Sequence, residues 1–229
     1  MAQYFTLENL LTSLEGNLRL STGETGVYGN STYRTGILNN GAKDFIRRTR
    51  ALKTKLTYTL VADQQEYDLS TDATFLQIDG EGGVVYDGKR LEPSSIQMLD
   101  LKQNGWRDMD SDTPTTYYPR AMKYLGLVPA PSSTVVTADS SFYVYALKRP
   151  VDMSATTDTP FSSESIMEEY DEAPLLYASW KLLIRGKQFE EAMSYKKEYA
   201  EMVRQCVYDL ASPEDRSDQL IPMIYNRNR

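Results

Sequence analysis

Three stretches carry residue types at spacings that bind phosphate or metal, and each lacks a residue that the chemistry needs. GVVYDGK, Gly83–Lys89, follows the phosphate-cradling loop pattern for seven positions. The eighth must be Ser or Thr, whose hydroxyl holds Mg²⁺, and here it is Arg90. Such a loop also opens into a helix, whereas this stretch reads as two strands about a turn. Gly80–Val85, GEGGVV, starts like a dinucleotide fingerprint but lacks its third glycine. DMDSD, Asp108–Asp112, starts like a calcium loop, which then requires Gly where Thr113 stands and a bidentate Glu where Pro119 stands. The simpler readings are a strand-end loop and a solvated acidic turn.

Histidine is absent, which excludes Ser-His-Asp triads, Cys-His dyads and the usual zinc sites, and removes the commonest general base. The one cysteine, Cys206, falls on the apolar face of a helical pattern, where a buried, inert thiol is expected. A lone cysteine forms no internal disulfide and fits synthesis in a reducing compartment. Paired carboxylates hydrolyse glycosides without histidine, but nothing among the 32 acidic residues singles out a pair. No catalytic, cofactor-binding or metal-binding residues are therefore expected, and no cofactor.

One charge pattern stands out. Residues 43–55, KDFIRRTRALKTK, include Lys43, Arg47, Arg48 and Arg50 and carry six basic residues against one acidic, a net +5. Residues 164–172, ESIMEEYDE, include Glu164, Glu168 and Glu169 and carry five acidic residues and no basic one. Cations suit the C-terminal end of one helix and anions the N-terminal end of another. The two runs are alternatively partners, within a subunit or between subunits, and a third reading has the basic run lining a DNA channel.

The elements that must position these residues run helix, strand, helix. Thr6 caps a first helix bearing Leu7, Leu10, Leu11 and Leu14, which Gly16 ends. Residues 17–33 read as a long loop. Leu38, Ala42, Phe45, Thr49 and Leu52 share one face of a helix over about 34–53, in which Gly36 and Gly41 imply close packing against a neighbour. Residues 55–150 read as β, beginning with a hairpin that turns near Ala62–Gln64. Strands are expected at Phe75–Ile78, Val84–Tyr86, Ala121–Val128 and Phe142–Leu147, with a helical turn or two at Ser94–Leu101. Asp87-Gly88 marks a two-residue hairpin turn with φ positive at both positions. Beyond Pro150 the spacing of Ile166, Tyr170, Ala173, Tyr177, Trp180 and Ile184 is helical, and Pro174 either starts the main helix or kinks a longer one. A last helix over about 188–211 carries Phe189, Met193, Tyr199, Val203, Cys206 and Leu210 on one face. The expected fold class is α+β: a helical bundle domain (1–54 and 151–212), an inserted antiparallel β-domain (55–150) and an extended C-terminal arm (213–229).

The net charge of −7 and pI of about 4.8 argue against a domain built to grip phosphate backbones. Tyrosine outnumbers phenylalanine 17 to 6, which suits strands and half-exposed interfaces alike. No signal-peptide pattern opens the sequence, and no apolar run approaches the length of a membrane span, so no membrane partner is expected.

In order along the chain stand Leu38-Asn39-Asn40-Gly41-Ala42, Gln65-Glu66-Tyr67-Asp68-Leu69, Tyr86-Asp87-Gly88-Lys89-Arg90-Leu91-Glu92-Pro93, Pro114–Tyr117 and Leu127-Val128-Pro129-Ala130-Pro131. A strand ending near Arg149-Pro150 and a Tyr-rich helical pair follow. This ordered set, over residues of about 5–210, resembles the tailed-bacteriophage head-to-tail adaptor (connector ring) proteins. The sequence departs from their usual pattern at Gly41 and in the 17–33 loop. The resemblance implies a structural virion protein rather than an enzyme, made in the host cytoplasm and placed in the virion neck. It implies a ring of about twelve copies that docks on the portal protein, continues the DNA channel and offers a platform to the tail nozzle or tube. DNA would pass without sequence-specific binding. The rival classes are a virion-associated hydrolase using paired carboxylates, which requires a deep cleft, and a nucleic-acid-binding module, which requires a basic groove with exposed aromatics.

The segment 213–229 crowds Leu220, Ile221, Met223, Ile224 and Tyr225 around Pro222 and adds Arg227 and Arg229. These residues are expected to dock on the portal or on a neighbouring subunit, the plainer alternative being that the segment folds back onto its own domain.

Overall fold

The computed structural model describes residues 5–20, 26–102, 105–121, 123–161 and 165–211. The fold is mixed α+β and divides into two compact units, Met1–Ala51 with Pro150–Arg229, and Leu52–Arg149.

The first unit is helical. Helix α1 (Leu7–Asn17) starts where Thr6, in extended backbone, accepts a hydrogen bond from the Asn9 amide at 3.4 Å, and it buries Leu7, Leu10 and Leu14. Gly16 does not end it: the helix runs through Gly16, and Arg19 adopts the left-handed turn instead, at φ 54°. Helix α2 (Ser31–Thr49) starts three residues before the expected point because Asn30 caps it through the Tyr33 amide at 2.9 Å. It stops at Thr49, where Arg50 turns left-handed at φ 55°, so Leu52 belongs to the other unit. Leu38, Ala42, Phe45 and Thr49 share its buried face. The two glycines of α2 differ. A Cβ on Gly41 would meet Pro174 Cα at 3.0 Å and Tyr177 Cβ at 3.1 Å, whereas a Cβ on Gly36 would meet open space. The close-packing expectation thus holds for Gly41 only.

After a short 3₁₀ stretch, Ser165–Tyr170, Pro174 occupies the first turn of a helix running Ala173–Arg185, where its missing N–H leaves no gap in the ladder. In chain order this is α5, since two short helices of the second unit, α3 (Ile96–Lys102) and α4 (Ser133–Ala138), precede it. Helix α6 (Phe189–Leu210) buries Ala192, Tyr199 and Cys206. The expected face is corrected here: Phe189 and Met193 are 60% and 54% exposed, and Leu210 is exposed too. Met193 lies about 100° around the helix from Ala192, off the sevenfold-spaced stripe that meets α5. Aromatic rings fill the bundle. Phe45 lies 5.7 Å from Tyr170 and 6.3 Å from Tyr199, centroid to centroid, and Tyr177 lies 5.6 Å from Tyr199.

The second unit holds two sheets. Its strands are β1 (Lys53–Thr59), β2 (Glu66–Asp68), β3 (Phe75–Ile78), β4 (Val84–Tyr86), β5 (Lys89–Arg90), β6 (Glu92–Pro93), β7 (Thr116–Arg120), β8 (Tyr124–Val128) and β9 (Ser141–Lys148). One sheet has the order β1-β9-β4-β5 with β3 also on β9, and the other has β2-β8-β7-β6. All pairs are antiparallel except β6 with β7. The expected hairpin across Ala62–Gln64 is overturned. β1 pairs with β9 from Lys53↔Leu147 to Thr59↔Ser141, while β2 pairs with β8 in the other sheet. A seven-residue ladder on β9 outweighs three pairs on β2, and the connector is tied elsewhere, with the Asp63 amide bonded to the Pro131 carbonyl at 2.9 Å. The Asp87-Gly88 turn is as expected, with φ 46° and 68° and Tyr86 opposite Lys89. Gly83–Arg90 is therefore a hairpin and has no helix to present to a phosphate. The strand expected from Ala121 begins at Tyr124, because Ala121 turns left-handed at φ 52° between β7 and β8.

Inward residues of both sheets, among them Leu56, Tyr67, Val84, Leu125, Leu127, Phe142 and Val144, form one core cluster. The other face of the second sheet carries Tyr118 and Val128 under Leu99 and Trp106. Of the 17 tyrosines, Tyr67, Tyr86, Tyr117, Tyr118, Tyr170 and Tyr199 are buried in these cores, so much of the tyrosine surplus is structural.

Candidate functional site

The basic run splits into committed and free charges. Lys43 reaches Asp152 at 2.5 Å. Arg48 donates to Asp44 Oδ2 at 2.6 Å, a bond that raises its pKa, and the same oxygen accepts the Tyr199 hydroxyl at 2.8 Å. Burial and the Asp44 carboxylate both push the Tyr199 phenol well up, so it remains a donor. In the second unit Lys53 pairs with Glu81 and, at 3.4 Å, with Asp79, and Lys55 lies over the Tyr143 ring at 3.6 Å. Arg47 and Arg50 are exposed and have no ion-pair partner among the described residues. Arg47 and Arg48 also fall in the last turn of α2, where they complement its dipole.

In the acidic run, Glu164 lies outside the described residues, and Glu168 and Glu169 are exposed on the 3₁₀ stretch before α5. No ion pair joins the basic run to the acidic run within the subunit among the described residues. Asp171 is only 6% exposed, and its Oδ1 has no hydrogen-bond partner among the described residues. Burial, and then the Glu168 charge, push its pKa up to about 7, against the hydrogen bond it accepts from the Phe161 amide. The folded state thus holds a proton that the unfolded chain, with an ordinary carboxylate near about 3.9, releases. The contribution of Asp171 to stability is full below about pH 4 and is lost as pH rises towards about 7. Asp171→Asn is expected to flatten the melting temperature between pH 5 and 8 and to raise it by several degrees at pH 8. Thermal melts at both pH values check this, and an unchanged slope would refute it.

Sequence reasoning missed a groove that the acidic run shares with α6. Glu169, Tyr170, Glu172 and Leu176 form one wall, and Glu198, Glu201, Met202, Gln205 and Asp209 form the other, around about 580 Å³. Tyr170 donates to Asp209 Oδ2 at 2.5 Å, Gln205 donates to the same carboxylate at 3.0 Å, and Arg204 pairs with Glu201. The signal was present: Glu198, Glu201, Met202, Gln205 and Asp209 recur at helical spacing, but their mixed chemistry hid the stripe. At the turn between α5 and α6, Ile184, Phe189 and Met193 are exposed, and Arg185 lies over Tyr33 at 4.8 Å.

Other chemistry is weakly supplied. Cys206 is fully buried, and burial pushes its thiol up to about 11, away from a nucleophilic thiolate. Among the described residues no cluster of three His, Cys, Asp or Glu side chains is placed to hold a metal ion, and no helix is long and apolar enough to cross a membrane. The arm residues Leu220, Ile221, Met223, Ile224, Tyr225, Arg227 and Arg229 lie outside the described residues.

Among the described residues the surface offers a charged groove and a few exposed apolar side chains. No curated protein matches the sequence. The family model described as SU10 adaptor protein matches residues 10–221, from α1 through both units and past the end of α6. The chain belongs to the SU10 adaptor protein family, a family of phage head-to-tail adaptors.

Proposed function

We propose that this chain is the structural ring of the virion neck. It docks on the portal protein, continues the DNA channel, and offers the tail nozzle or tail tube its platform. The observation that carries this reading is the adaptor-family match over residues 10–221. The ring is a closed assembly of about twelve copies, so two different faces of one subunit meet. The helical domain supplies those faces. Arg47 and Arg50, the free charges of the basic run, meet Glu168 and Glu169 of the next subunit, and the arm 213–229 reaches the portal. The net charge of −7 suits a bore through which DNA slides without adhering.

The test mixes the purified chain with portal particles and images them by negative-stain microscopy, with mass photometry for copy number. Ring density on the portal is the expected result, and bare portals would overturn the reading. For the charge contact, the discriminating variant is Arg47→Glu with Arg50→Glu. Arg48 is a poor choice because its replacement by an acid would face Asp44 inside the subunit. The double variant is expected to stay folded and to lose most ring assembly, while ring yields equal to the parent chain would refute the pairing.

A further inference from the structure

We infer that in the free subunit the groove between the 3₁₀ stretch and α6 holds the chain's own C-terminal segment, with Arg227 and Arg229 among the groove carboxylates and Tyr225 on its apolar floor. The inference stands on the helical unit alone and needs neither ring nor portal.

The groove has two chemistries at once. Leu176, Met202 and the Tyr170 ring give an apolar floor, and Glu169, Glu172 and Glu198 give carboxylates with no ion-pair partner among the described residues. Glu201 is balanced by Arg204, and Asp209 is held by Tyr170 and Gln205. The fitting ligand is therefore apolar and cationic together. Residues 223–229, MIYNRNR, offer three apolar side chains and two arginines with no acidic residue. A guanidinium suits this rim, because its planar donors bind carboxylates two at a time and it is weakly hydrated for a cation.

Reach favours the same chain over a second copy. Asp209, at one end of the groove, lies two residues before Ala211, where the described chain stops. From Ala211 back to Glu198 is about 20 Å along the helix, at about 1.5 Å per residue. Residues 212–224 span up to about 40 Å when extended, at about 3.3 Å each, so the tail can double back with length to spare. A tether this short puts the segment at an effective concentration of the order of millimolar, far above that of a neighbour in a dilute solution. Residues 213–218 carry Glu214, Asp215 and Asp218 against Arg216, a net −2, so the stretch 223–229 is the better match to the groove carboxylates.

The experiment records amide relaxation of residues 220–229 in the full-length ¹⁵N-labelled subunit without portal, in about 50 mM salt so that screening is modest. Order parameters approaching about 0.85 are expected for Tyr225–Arg229, against values below about 0.6 for a free chain. Arg227→Glu with Arg229→Glu is expected to bring them to free-chain values without disturbing the helices, and so is Glu169→Lys with Glu198→Lys. Combining the two pairs is expected to restore order, which no loss of folding would imitate. Free-chain values in the parent protein would overturn the inference. So would order that ignores all four substitutions, or order that appears only as protein concentration rises, the mark of a neighbour's groove.

Discussion

Truncated after Ser212, the chain is expected to keep its helical core and lose at least most of its attachment to portal particles. Helices α1, α2, α5 and α6 make their buried contacts before residue 212, so the free subunit should stay folded and lose only what the parked tail contributes. Attachment is different. Burying Leu220, Ile221, Met223, Ile224 and Tyr225 yields about 10 kcal/mol at roughly 2 each. Fixing about ten residues of backbone costs about 10–20 kcal/mol. One arm alone is near break-even or worse, and backbone hydrogen bonds must help, whereas a full circle of arms on one ring gains through effective concentration. A loss small for one arm thus becomes large for the ring. On the proposed parking of the same arginines in the subunit's own groove, the apparent affinity of an arm for a portal site is expected to fall by the fraction of time it is parked. Co-sedimentation with portal particles measures the effect, and a truncated chain that sediments as well as the intact one would remove the arm from the mechanism.

The second large effect is expected at Gly126. Tyr118 stands directly opposite it on β7, and a Cβ on Gly126 would lie 2.1 Å from the Tyr118 Cζ and 2.2 Å from Cε1. The ring cannot yield easily. It is buried, it stands edge-on to Trp106 at 5.2 Å, and its hydroxyl donates to Glu66 at 3.2 Å. Burial pushes that phenol up to about 12, so it stays a donor at any working pH. Overpacking of this kind costs about 1–3 kcal/mol and occasionally more. Gly126→Ala is expected to lower the melting temperature by roughly 2–12 °C, at about 2–4 °C per kcal/mol for a chain of this size. Gly36→Ala, with open space around its Cβ, is expected to stabilise slightly, by about 0.5–1 kcal/mol. If both alanine variants melt alike, the close approach of Tyr118 is not rigid.

The contrast between these glycines shows where sequence reading stops. Local signals were legible when a single residue's own chemistry decides: Thr6 as a cap, Asp87-Gly88 as a turn, and the α2 face at spacings of four and three. They failed where the partner is distant. Nothing in residues 53–69 reveals that β1 prefers β9, more than eighty residues away, to β2 nearby. The short strand β7 and helix α4 lay in stretches with little periodicity, and the Ser132 cap on α4 alone marks a helix too short to show a face. On α6 the apolar spacing predicts Phe189 and Met193 inside, but which side meets α5 depends on the bundle, and both are exposed. The charge runs were legible as runs. That Arg48 is committed to Asp44, and that the acids continue across a groove onto α6, depends on how the helices pack.

The pairing of β1 with β9 has a further consequence for how the helical unit forms. Helices α2 and α5 pack together although about a hundred residues separate Ala51 from Pro150. Joining the ends of a flexible loop that long is entropically harder than joining a loop of six residues by about 2–3 kcal/mol, since the penalty grows with the logarithm of length. Lys53 stands opposite Leu147, and the Lys148 amide bonds to the Leu52 carbonyl at 2.9 Å, so the first and last strands of the insertion lie side by side. Once that ladder zips, the helices see an excursion of a few residues instead of a hundred, and the inserted sheet acts as a clasp on the bundle's own chain.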